Sequence, residues 1–380
     1  MGKNRDSRRS KTDEIRMIIA GGGTGGHLFP GLAVGKEISE RFSRSRVLFI
    51  TGQGGMETDI ICRSGFMHES ISVEGIKGRG LRKAIIAFVK VPIAIFQSAK
   101  IIRRFSPHVV FGVGGYSSGP ACFVARIMKV PTAIHEQNTF PGLANRLLSR
   151  IVDKVFISFE VSRNHFPGRK ILVTGNPIRR VLLEKMDTEE DAKRIFTVLV
   201  VGGSQGAIAI NRAFLDALEI LKKNGMELNI IHQTGKQDFK YVKDQYEKRG
   251  FKGNVTAFIE DMGIAYKEAH IVIGRAGAST ISELAVLGKP SILIPYPFAA
   301  DGHQETNARI LATTGGAEIL LQKDLNGQRL AEILVRYKED RMALRRMGCK
   351  ARETAMPYAT AVIADAIERM AFKYGGRREE

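Results

Sequence analysis

The chain has 380 residues, three cysteines, no tryptophan, and 58 lysines and arginines against 39 aspartates and glutamates, a formal net charge of +19. Such a length accommodates two ordinary domains with separate cores and excludes a small disulfide-stapled scaffold. Cys62, Cys122 and Cys349 are scattered, with no CxxC and no metal-ligand spacing, and read as buried small hydrophobes in a reducing compartment.

Residues 1–13 form a polar, basic tail predicted to be disordered, without the apolar segment or cleavage site of a signal peptide, so a cytoplasmic protein is expected. From there, short β-branched runs alternate with longer amphipathic ones. Strands are predicted at Ile15 to Ala20, Arg46 to Thr51, His108 to Val113, Thr132 to His135, Lys154 to Ser158 and Ile171 to Thr174. A polar, acidic stretch follows "GNPIRR" (Gly175 to Arg180). A second set then begins: Thr197 to Val201, Leu228 to Gln233, Val255 to Phe258, Ile271 to Gly274 and Ser291 to Pro295. The alternation predicts parallel sheets wrapped by helices. The fold class is therefore α/β, two doubly wound Rossmann-like domains separated by a cleft: an N-terminal domain over 14–177 and a C-terminal domain over 178–358. The amphipathic run Ala359 to Phe372 is expected to be a closing helix, with 359–380 packing back on the first domain.

Charge placement is more informative than its total. Between Glu74 and Glu136 no acidic residue occurs, while Lys77, Arg79, Arg82, Lys83, Lys90, Lys100, Arg103, Arg104, Arg126 and Lys129 do. A field of that sign draws phosphorylated substrates, anionic lipid or polyanions. No nucleic-acid partner is expected, because no zinc-finger or RNA-binding signature is present and the cations interleave with aliphatics rather than stacking aromatics. The most apolar stretch, Ala84 to Phe96, is too short to span a bilayer, which takes about 20 residues. It could lie on one, with Ile76, Leu81, Ile85, Ile86, Phe88 and Ile93 touching acyl chains; the alternative is ordinary core beneath a solvated basic face.

Four glycine loops follow predicted strands: "GGGTGGH" (Gly21 to His27), "GVGGYSSGP" (Gly112 to Pro120), "GGSQGA" (Gly202 to Ala207) and "GRAGAST" (Gly274 to Thr280). Glycine lets backbone N–H groups approach a phosphate, and the helix that follows adds its positive end. A tight turn packing helix on strand would look the same. Gly21, Gly23 and Gly26 satisfy GxGxxG, yet the second strand ends "LFITGQGG" without the carboxylate that a nicotinamide ribose needs. No GK[ST] follows any loop. With phosphate loops in both halves, two anionic substrates are expected rather than one.

Together "GGGTGGHLFPGLAV", "GVGGYSSGP", "HEQN", "TGNPIR", "GGSQGA" and "GASTISELAVLGKPSILIPYP" resemble the MurG family of inverting GT-B glycosyltransferases. The resemblance runs from about Arg16 to about Ala312. It implies transfer of N-acetylglucosamine from UDP-GlcNAc to the C4 hydroxyl of undecaprenyl-diphosphate-linked muramoyl-pentapeptide, at the cytoplasmic face of the plasma membrane, with an anionic membrane surface as partner. Departure of UDP needs its diphosphate stabilised by a metal or by fixed donors. No DxD motif offers a metal, and neither a metal nor a cofactor is expected. Ser204 and Thr280 stand where hydroxyls can donate to phosphate beside helix ends, although both also suit plain N-caps. Glu283, three residues after Thr280, has capping-box spacing; the resemblance makes it instead the carboxylate holding the ribose diol.

By the same resemblance Arg179 lies near the nucleotide and the Ile259 backbone reads uracil. Thr24, Gly25, Gly26, Gln205, Ala278 and Ser279 complete the donor contacts, and Asn138 and Gln304 hold the sugar. The family's amide pair near the last position is His303–Gln304 here. Thr24, Gly25, Gly26, His27 and Tyr116 are assigned to the acceptor. Inverting transfer needs a neutral base beside the acceptor hydroxyl, and three candidates stand: His27, where a helix N-terminus disfavours imidazolium, and the pair His135 and Glu136. The rival readings are a UDP-GlcNAc 2-epimerase, another GT-B lipid glycosyltransferase, and a non-enzymatic sugar-nucleotide-binding subunit.

Overall fold

In a computed structural model of the chain, residues 14–23, 25–73, 80–184, 195–203 and 206–375 are described. The chain divides into two compact units, one made of Met1–Gln137, Pro141–Pro177 and Tyr358–Glu380, the other of Asn138–Phe140 and Ile178–Pro357.

The first unit is built on a seven-stranded sheet: β1 (Arg16–Ala20), β2 (Arg46–Gly52), β3 (Met67–Ile71), β4 (Val109–Gly112), β5 (Thr132–Glu136), β6 (Lys154–Ile157) and β7 (Ile171–Val173). All pairings are parallel, in the order β3-β2-β1-β4-β5-β6-β7. Adjacent side chains on a strand point to opposite faces, so Ile18 and Ile19 of β1 feed different cores. Ile18 joins Ile50, Val110 and Ile134 under the helices Gly80–Phe105 and Ser118–Ile127. Ile19 joins Phe49, Phe111 and Phe156 under the helix Gly25–Arg41 and the closing helix Ala359–Gly375, which contributes Ile363 and Ile367. Each of these isoleucines, fully removed from water, contributes about 1.5–3 kcal/mol before entropy is counted. Arg41 ties the two helices at the surface by pairing with Asp365 and Glu368 of the closing helix, while Glu37 of its own helix (2.7 Å) holds the guanidinium in place.

The second unit repeats the plan with β8 (Thr197–Val201), β9 (Asn229–Gln233), β10 (Asn254–Thr256), β11 (Ile271–Gly274), β12 (Ser291–Leu293) and β13 (Glu318–Ile319), all parallel, in the order β10-β9-β8-β11-β12-β13. Its core gathers Val198, Val200, Ile230, Ile271, Ile273 and Ile292 with the inner faces of the helices Ile208–Lys223 and Gly327–Glu339.

Both sheets reverse their winding direction between two central strands, β1 and β4 in the first, β8 and β11 in the second. Ligands of open α/β sheets sit beyond the strand carboxyl ends at such switch points. The four glycine loops of the sequence leave these four strands.

Three expectations are corrected. Strands β3 and β13 were not predicted: both are edge strands, and their mostly exposed or half-exposed residues carry no apolar run. The strand expected at Val255 to Phe258 is Asn254–Thr256. Of the cysteines only Cys122 is buried; Cys62 and Cys349 lie on outward faces of the helices Gly55–Arg63 and Arg341–Arg352.

Candidate functional site

In the first unit, the loop after β1 leads into the helix Gly25–Arg41, so Gly25, Gly26 and His27 form its first turn, with backbone amides at the positive end of the helix dipole. Thr24 lies outside the described residues. The preceding amides have protein partners: Gly21 N–H donates to the Ile50 carbonyl (3.0 Å), Gly22 N–H to the Gly114 carbonyl (3.3 Å), and Gly23 N–H to the carboxylate of Glu57. Glu57 was not singled out in the sequence. Burial pushes its pKa up, partly offset by the Gly23 N–H. A protein carboxylate thus sits on a loop expected to receive a phosphate.

His27 packs its ring on the second glycine loop. Gly114 has φ +90°, and a Cβ there would lie 2.8 Å from His27 Cδ2 and 3.1 Å from Nε2. Only glycine permits both the dihedral and the approach. Gln137 braces the same loop by donating to the Val113 carbonyl at 2.7 Å. Tyr116 follows, 48% exposed.

The three base candidates are placed differently. His27 is partly exposed. His135 is completely buried in β5, its Nε2 facing the Gly175 carbonyl at 3.1 Å and its Nδ1 without a partner. Burial, with a smaller contribution from nearby His27, brings its pKa down to about 4, so the ring is neutral. Glu136 is buried too, and one of its oxygens accepts from Asn145 Nδ2 (2.8 Å) and Gly142 N–H (3.2 Å). His27 is thus the one of the three open to solvent.

In the second unit, Ser204 and Gln205 lie outside the described residues, but the glycines around them are informative. Gly206, at φ +80°, presses on the end of β9 so closely that a Cβ would meet the Thr234 carbonyl at 2.3 Å. Ala278, Ser279 and Thr280 are the first three residues of the helix Ala278–Leu287, whose N-cap is Gly277. Thr280 is therefore inside the first turn and is not a cap. Glu283 falls in the second turn, so the capping-box geometry is absent. Its carboxylate accepts from the buried Tyr266 hydroxyl at 2.9 Å. Burial pushes the Glu283 pKa up, opposed by Arg179 and by the Tyr266 hydrogen bond. A carboxylate kept ionised in such a place needs donors, and a ribose diol would supply two.

Ile259 follows β10, and its N–H is already engaged by Gln233 Oε1 at 2.9 Å. Gln304 lies in the first turn of the helix His303–Ala312 and accepts from Tyr296 N–H at 2.9 Å. Asn307, one turn later and fully buried, accepts from Thr139 N–H and Oγ1 (both 3.0 Å) and donates to Asn138 Oδ1 (3.2 Å) and the Ala276 carbonyl (3.3 Å). Asn307 therefore holds the residue predicted to touch the sugar. Tyr266, Asn307 and Gln233 were missed because each acts through partners distant in sequence; the only local signal is a polar group within a stretch otherwise apolar or helical.

Residues 17–157 match the glycosyltransferase family 28 N-terminal domain and residues 197–369 its C-terminal domain. The UDP-N-acetylglucosamine–N-acetylmuramyl-(pentapeptide) pyrophosphoryl-undecaprenol N-acetylglucosamine transferase of Syntrophus aciditrophicus is 45% identical over 94% of this chain and 99% of its own. The crystal structure of Acinetobacter baumannii MurG superposes with a TM-score of 0.73 at 32% identity, covering 93% of this chain and 99% of that one. A UDP-GlcNAc 2-epimerase from Neisseria meningitidis shares the fold alone, at TM-score 0.64 and 15% identity over 94% of this chain and 100% of its own. Identity at that level along nearly the whole length, on two doubly wound units with glycine loops at both switch points, makes this chain a member of glycosyltransferase family 28 and, within it, of the MurG family.

Proposed function

We propose that the chain transfers N-acetylglucosamine from UDP-GlcNAc to the C4 hydroxyl of undecaprenyl-diphospho-muramoyl-pentapeptide, inverting the anomeric carbon. It is a hexosyltransferase, and the observation that carries the substrate reading is 45% identity over 94% of the chain to a transferase of that name. The acceptor oxygen attacks C1 of the sugar, the C1–O bond to UDP breaks, and the hydroxyl proton passes to His27. The partial exposure of that ring supports it as the base over His135 and Glu136. Charge developing on the departing diphosphate is met by the N-terminal turn at Ala278, Ser279 and Thr280, with Ser204 and Gln205 on the companion loop; fixed dipoles of this kind need no reorganisation during the reaction. Glu283 holds the ribose, Arg179 and Ile259 lie along the nucleotide, and Asn138 and Gln304 bind the sugar. Thr24, Gly25, Gly26 and Tyr116 take the acceptor head.

The lipid tail stays in a bilayer that the protein touches on the cytoplasmic face. No helix among the described residues is long and apolar enough to cross a membrane. Supporting a lipid-facing surface are Ile93 and Phe96 (73% exposed) on the helix Gly80–Phe105, Ile127 on the neighbouring helix Ser118–Ile127, and Leu143 and Leu147 on the helix Leu143–Leu148 next to that. Exposed Lys100, Arg103, Lys129, Arg146 and Arg150 accompany them. Apolar anchors flanked by cations are the chemistry of an anionic bilayer surface, each cation worth roughly 1 kcal/mol. Ile76, with the side chains of Leu81, Ile85, Ile86 and Phe88, lies outside the described set. The test is incubation with radiolabelled UDP-GlcNAc, with and without a polyprenyl-diphosphate-muramoyl-pentapeptide in anionic vesicles. Label in the lipid is expected; epimerised sugar without acceptor, or binding alone, would overturn the assignment.

A further inference from the structure

A sugar nucleotide spans its site: the base and the diphosphate must each be met at a fixed separation. In the second unit the segments proposed for these two ends leave β10 and β8, which are not neighbours, because β9 runs between them. The last residue of β9 is Gln233, opposite Val201 of β8 and Thr256 of β10 in the ladder. Its side chain is 3% exposed. Nε2 donates to the Gly203 carbonyl, in the diphosphate loop, at 3.0 Å; Oε1 accepts from the N–H of Ile259, on the base side, at 2.9 Å. One amide group thus links both ends, donating to one and accepting from the other. A carboxylate of the same length can only accept, and a thioether offers neither strong function.

We propose that Gln233 is a positioning residue for the donor nucleotide, holding the base-reading segment and the diphosphate loop in register so that UDP meets a preorganised site. The inference rests on the proposed placement of UDP-GlcNAc in this unit. Its energetic logic is that of preorganisation: ordering two loops in advance removes that cost from binding, and it sharpens discrimination between pyrimidines that differ only at their hydrogen-bonding edge. Without the bridge each loop keeps its own contacts, but their separation is free to vary.

Two variants of the full chain test it, Gln233→Met and Gln233→Glu, with UDP and CDP affinities measured by titration calorimetry well below each variant's melting temperature. Gln233→Met is expected to weaken UDP about tenfold, the loss of roughly one net hydrogen bond, to raise KM for UDP-GlcNAc with little change in kcat, and to narrow the UDP-over-CDP preference. In Gln233→Glu the ionised carboxylate repels the Gly203 carbonyl, whereas the protonated acid can donate to it and still accept from Ile259. The ratio of variant to wild-type UDP Kd should therefore be about ten at pH 8 and fall towards one near pH 5.5. A folded Gln233→Met with wild-type KM and base preference overturns the proposal, as does a Gln233→Glu ratio that does not change with pH. If wild-type protein fails to bind UDP, or binds it elsewhere, the donor-site reading itself fails; that result is distinguishable because it precedes any comparison of variants.

Discussion

Replacing Tyr266 by phenylalanine removes a single oxygen from a buried ring and leaves no cavity, so its consequences report on one hydrogen bond. That oxygen donates to Glu283 at 2.9 Å, and a hydrogen bond to a charged group is worth about 1.5–3 kcal/mol. Part of this appears as stability and part as readiness of the carboxylate to receive the ribose, so UDP affinity should fall about three- to thirtyfold. The sign of the pH effect follows from the same contact. Burial raises the Glu283 pKa and the Tyr266 hydroxyl lowers it, so losing the hydroxyl raises it further. A carboxyl whose folded pKa is raised above 4.5 ionises less readily than in the unfolded chain. Its contribution is therefore adverse to stability as pH rises past 4.5, and ribose binding is lost as pH falls through the folded value. In Tyr266→Phe that acid limb of UDP binding should move to higher pH. Calorimetric titration of UDP from pH 5 to 8, with 2′,3′-dideoxy-UDP as control, measures both effects. Equal UDP affinity and an unmoved acid limb in the two proteins would refute a ribose-holding Glu283 set by Tyr266.

His27→Ala should lower kcat by about 10²–10⁴, the usual contribution of a positioned base, while KM for UDP-GlcNAc stays within about twofold in steady-state kinetics. Phe96→Asp places a charge on an exposed ring position and should reduce sedimentation with anionic vesicles at low salt, leaving the melting temperature nearly unchanged, because Phe96 is 73% exposed. His135 and His232 are buried, with pKa values lowered to about 4 and about 3, chiefly by desolvation. In the unfolded chain both take up protons near pH 6.5, so the unfolding free energy measured in urea should decline by several kcal/mol as pH falls from 6.5 to 4. A flat profile over that range would mean the two rings are charged in the folded protein.

The doubly wound class was legible because it is written in local chemistry: β-branched runs of about five residues, amphipathic stretches between them, and glycine where a strand must turn sharply into a helix. Edge strands β3 and β13 escaped because a strand with little buried surface needs no apolar alternation. The glycine loops could be singled out as candidate phosphate sites, yet only the sheet order assigned all four to the strands flanking the two switch points.

Side-chain partners were not legible. Glu57 lies 34 residues from Gly23, Gln233 is 26 from Ile259 and 30 from Gly203, and Asn307 is 169 from Asn138. Nothing in the intervening residues encodes those meetings. Parallel strands join only through long crossovers, so the residues that meet at their carboxyl ends are decided by register and strand order. From the sequence alone came the kind of fold, the glycine loops and the histidine that closes the first of them. Tertiary structure decided which carboxylate, amide and hydroxyl stand behind each loop, because a hydrogen bond needs atoms within about 3 Å and only the folded sheets bring them there.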